Sequence, residues 1–122
     1  DEWDSLNNGS RFLTGVTVVS NAFLKEHPEA VEEFLQEQKE SADTANSDVQ
    51  GTADLVAEYG IIEKAAIAQK AIPSCNIVCI RGDEMKTTLE GFLTILYEQD
   101  PTAVGGALPE DDFYYTQSSQ NN

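Results

Sequence analysis

Only two stretches of this chain have the apolar, β-branched character of strands: Leu13–Val19 and Cys75–Ile80. Leu13–Val19 is apolar on both of its faces, which is the pattern of a strand buried on both sides. The other long apolar patterns recur at helical spacing. Two short strands make a marginal sheet by themselves. The pattern therefore predicts an α/β chain, predominantly helical with two buried strands, that forms part of a larger α/β body.

The helical segments carry their own boundaries. Ser20-Asn21 supplies capping oxygens, and His27-Pro28 interrupts the helix, with Pro28 suited to the first position of a restarted one. Beyond it Val31, Phe34, Leu35, Gln38, Ala42 and Ala45 recur on one face, while Glu29, Glu32, Glu33, Glu37 and Lys39 fall mostly on the other. Ser47-Asp48-Val49-Gln50 reads as a capping box, Ala53, Val56 and Ala57 as an apolar side, and Gly60 as a left-handed helix end. An alanine-rich helix follows to Ala71 and stops before Pro73. Asp83 reads as the cap of a helix whose Met85, Leu89, Phe92, Leu93 and Leu96 form one stripe, ended by Asp100-Pro101. These signals predict strands over 13–19 and 76–80 and helices over 21–45, 48–59, 62–71 and 83–98. They also predict a loose segment over 1–11, an ordered portion over 12–115 and a disordered tail over 116–122.

Charge narrows the partners. The 122 residues fit one domain, and 22 acids against 7 bases leave a net charge of −15. That excludes nucleic acid, whose phosphates need Lys and Arg in place of counterions, and an anionic membrane surface. Hydrophobic residues make up 40%, too many for a chain disordered throughout. No apolar run reaches the roughly 18 residues of a membrane span. The opening Asp1-Glu2-Trp3-Asp4, without Met, reads as a processed protein or an excised piece.

The inventory for chemistry is thin. His27 sits in Glu26-His27-Pro28, where a helix-end polar residue accounts for it better than a catalytic base. Cys75 and Cys79, in extended chain, would stand about 13 Å apart, beyond a disulfide, and read as small buried hydrophobes. Neither a zinc pattern nor a phosphate-binding glycine loop occurs. Asn46, Asp48, Gln50 and Gly51 match the start of a calcium loop, but Ala57 stands where its bidentate Glu belongs, and a helix cap explains the same residues. The expectation is a protein that is not an enzyme, with no metal and no cofactor.

Three stretches carry a resemblance. Val16-Thr17-Val18-Val19-Ser20-Asn21-Ala22-Phe23-Leu24-Lys25-Glu26-His27-Pro28-Glu29-Ala30-Val31 resembles a strand-and-helix segment of bacterial ABC-transporter solute-binding proteins of the nitrate/sulfonate/taurine and thiamine-pyrimidine-precursor type. Ile72–Lys86 and Asp100–Pro109 with Phe113-Tyr114-Tyr115 are similar to later segments of one subgroup, in the same order, so that the match spans 12–115. The resemblance implies the C-terminal portion of a two-lobed periplasmic-binding-protein-like fold. It implies an extracytoplasmic, cell-surface lipoprotein that captures a small anionic or heterocyclic solute and delivers it to an ABC permease in the membrane. The lipid-attachment cysteine and the N-terminal half of such a parent have no counterpart in this sequence, so a fragment is expected. Thr14 and Gly15, and Cys75 and Asn76, are the candidate ligand-binding residues: a hydroxyl, a backbone without Cβ, a thiol and an amide at strand ends. The rival expectation is a stand-alone acidic interaction module whose Glu-rich helix docks a basic partner. A third, an enzyme of pyrimidine-precursor synthesis, lacks its histidine-rich chemistry here.

Overall fold

The computed structural model describes Trp3, Ser5 and residues 10–116. Most of the loose segment expected over 1–11, and the expected tail beyond Thr116, lie outside them. Among the described residues there are five α-helices and no strand: α1 (Asn21–Glu26), α2 (Pro28–Ser47), α3 (Val49–Glu58), α4 (Ala65–Ala71) and α5 (Gly82–Gln99). Where the length fits one domain, the chain divides into two compact units. One spans Val19–Cys79; the other joins the residues up to Val18 with those from Ile80 onward.

In the first unit, local chemistry sets each boundary. The Ser20 hydroxyl accepts the N–H of Phe23 at 3.2 Å and opens α1. His27 closes α1 by donating its N–H to the carbonyl of Phe23 at 2.8 Å, and Pro28 opens α2. The expected capping box is shifted by one residue. Ser47 ends α2, its hydroxyl donating to the carbonyl of Asp43 at 2.8 Å, and Asp48 is the cap of α3, accepting the N–H of Gly51 at 2.9 Å. A side chain at Gly51 would run into that Asp48 carboxylate.

Gly60, with φ of +69°, ends α3 in a Schellman motif. Its N–H donates to Ala57 and that of Ile61 to Val56, both at 3.0 Å. The amide of Ile62 also points to Val56, so the next helix begins at Ala65 and not at 62. Ala53 and Ala68, both fully buried, bring α3 and α4 together, and Ile72 completes the core. Val49, Val56, Ile62, Ala65 and Ile77 pack around them.

In the second unit, Gly82, with φ of +60°, opens α5, and Arg81 occupies the cap position without a side-chain cap bond. Asp83 is thus a first-turn acid favoured by the helix dipole and not the expected cap. Trp3, Phe12 and Phe92 form an aromatic cluster with ring centroids 5.3–6.2 Å apart. Trp3 Nε1 donates to the Ser10 hydroxyl at 3.0 Å, and Ser10 lies so close to α5 that a Cβ at Gly91 would stand 2.7 Å from its own. Asp100 ends α5 and accepts both the N–H and the hydroxyl of Thr102, at 2.9 and 2.7 Å.

The α/β expectation is overturned. Residues 13–19 and 76–80 join no sheet among the described residues. A strand is stabilised by the ladder along its edges and by cover on its faces, which its own sequence does not supply. Val16 is 62% exposed and Val18 80%. The second segment is also broken at its start. The helical course runs through a 3-10 turn at Ile72–Ser74, Cys75 caps it, and Asn76 is left-handed at φ of +50°. Cys75 is accordingly exposed and Cys79 half-buried, rather than both lying inside a strand.

Candidate functional site

Thr14 and Gly15 stand side by side on exposed, irregular chain of one unit. A Cβ at Gly15 would meet nothing, so its backbone is open to approach. Cys75 and Asn76 are neighbours in the other unit, and both are exposed. The Cys75 thiol donates to the carbonyl of Ala71 at 3.3 Å. His27 is exposed at the joint of α1 and α2, its ring 5.0 Å from that of Phe23.

A concave surface of the first unit lies elsewhere. Phe34, Gln38, Ser41, Ala42 and Ala45 of α2 form an open groove with Ile77 and Val78, with Glu37 on its edge and a volume of about 580 Å³. That volume is within the usual range of ligand pockets, about 300–1,000 Å³, but most such pockets are far more enclosed. The groove exists because Asn46 ties the extended chain to α2: its amide donates to the carbonyls of Ala42 and Ile77, each at 2.9 Å. Its lining offers apolar contact, one carboxylate, one amide and one hydroxyl, which is the chemistry of packing or binding. The sequence held a trace of it in the stripe Phe34, Gln38, Ala42 and Ala45, read there only as one face of a helix. Phe34 is 50% exposed.

On α2, Glu29, Glu33 and Glu37 are exposed and form no ion pair among the described residues, while Lys39 pairs with Asp43. A second polar cluster lies against α5. Lys86 donates to Asp111 at 2.7 Å, stands 3.8 Å from Glu90 and faces the Tyr114 ring at 5.9 Å. The Asp111 hydrogen bond, aided by that carboxylate's charge, holds the ammonium above the usual lysine range. Burial, with the charge of Glu90, pushes the Tyr114 phenol up.

Among the described residues, no group of three or more His, Cys, Asp or Glu is placed to hold a metal ion. No described helix is long and apolar enough to cross a membrane. Compared with known proteins, the chain matches no protein-family model, no curated protein and no solved structure.

Proposed function

We propose that this chain serves solute capture, as part of the extracytoplasmic solute-binding component of an ABC importer. In this reading further polypeptide of that component, the N-terminal half of the parent, covers the apolar surface left open here. One observation carries it. Segments that bear the family resemblance leave apolar side chains uncovered, Val16 at 62%, Val18 at 80% and Val78 at 62% exposure, as the chain also does outside them at Tyr59 and Ile61. Exposed apolar side chains in each unit support cover by a further surface. Thr14, Gly15, Cys75 and Asn76 stay as the candidate contacts, supported by their exposure. The solute is a small anionic or heterocyclic molecule, handed to the membrane permease, and the component is a lipid-anchored protein outside the cell. No catalytic residue or cofactor takes part.

The test is calorimetric titration of the native gene product, with whatever polypeptide flanks this chain, against nitrate, taurine, other sulfonates and pyrimidine precursors. The expected result is one solute bound at micromolar affinity or better, weakened by Asn76→Ala or Thr14→Val. The isolated 122-residue chain should bind that solute about a thousandfold more weakly, since losing about 4 kcal/mol of contacts turns micromolar into millimolar affinity. Absence of binding to the native product overturns the reading.

Glu29, Glu33 and Glu37, exposed and without an ion pair among the described residues, favour a second reading, an acidic module that docks a basic partner. It predicts a salt-sensitive protein complex, lost on Glu33→Lys with Glu37→Lys, and no solute binding.

A further inference from the structure

We draw no further inference here: the strongest candidate, the apolar groove that α2 forms with Ile77 and Val78, belongs to the surface already described, and nothing in the structure shows what else covers it.

Discussion

The side-chain amide of Asn46 donates to the carbonyl oxygen of Ile77 at 2.9 Å, across 31 positions of sequence. A second donation to Ala42, also at 2.9 Å, fixes the amide's orientation on α2. Asn46→Ala removes both bonds and should cost about 0.5–1.5 kcal/mol, reduced slightly by the better helix propensity of alanine. Asn46→Asp should cost more, because it sets a carboxylate against two carbonyl oxygens with no proton to share. Urea denaturation of the three proteins orders them; an aspartate variant as stable as the parent would contradict the contact.

Ala53 and Ala68 are both fully buried where α3 meets α4. No space remains for added methylenes there. Ala53→Leu should destabilise by about 1–3 kcal/mol through overpacking. The same change at exposed Ala66 should stay within about 0.5 kcal/mol. Leucine is a good helix former, so the contrast reads packing alone. Equal denaturation midpoints for the two variants would refute the close approach.

Asp100 gives a pH signature. The Thr102 hydroxyl, then the Thr102 N–H, hold its carboxyl below the usual carboxylate range. A group whose acidity is strengthened by folding adds stability above its unfolded pKa and loses it as pH falls through the folded one. The stability gap between the parent and Asp100→Asn should therefore be full at neutral pH. It should narrow on acidification through and below the ordinary carboxylate range. Thermal melts at several pH values check this, and a gap that widened in acid would reverse the sign.

Helices were legible because their signals are local. Ser20, Pro28, Gly60 and Asp100 each act within one turn of where they stand in sequence. Strands were not, because the apolar run Leu13–Val19 records a need for partners and cover without providing either. Asp83 misled for a related reason: a capping residue type signals a helix start, but left-handed Gly82 sets that start one residue earlier. Cys75 was read from the apolar residues after it, whereas the 3-10 turn before it decides its exposure. Of the sites, Thr14, Gly15, Cys75 and Asn76 were named from sequence as candidate contacts, but the exposure of Cys75 was not read there. The groove was not read there either, since Asn46 builds it through a contact far along the chain.

Tyr114 is 3% exposed, and its phenol is pushed up by burial and by the charge of Glu90, with Lys86 opposing. Tyr114 should ionise as a late component in an alkaline absorbance titration. Tyr114→Phe should delete that component. Lys86→Met removes the opposing positive charge, so it should shift the component further up if the ring stays buried. It also frees Asp111, so ionisation at ordinary pH in this variant would mean that Lys86 holds Tyr114 in place. A late component that persists in Tyr114→Phe would exclude the assignment.

The exposed valines separate the chain alone from the chain within a larger component. Val16 and Val18 point mostly into solvent. In the isolated 122-residue chain, Val16→Thr and Val18→Thr each lose little burial and should stay within about 0.5 kcal/mol of the parent. Binding of a hydrophobic dye should fall, because two apolar side chains leave the surface. Where further polypeptide covers this segment, each substitution buries a hydroxyl, at about 1–3 kcal/mol when it finds no partner. The native gene product should therefore be destabilised by both changes while the isolated chain is not. Equal tolerance in the two proteins would mean that Val16 and Val18 face water in both, and the proposed cover over this segment would be wrong.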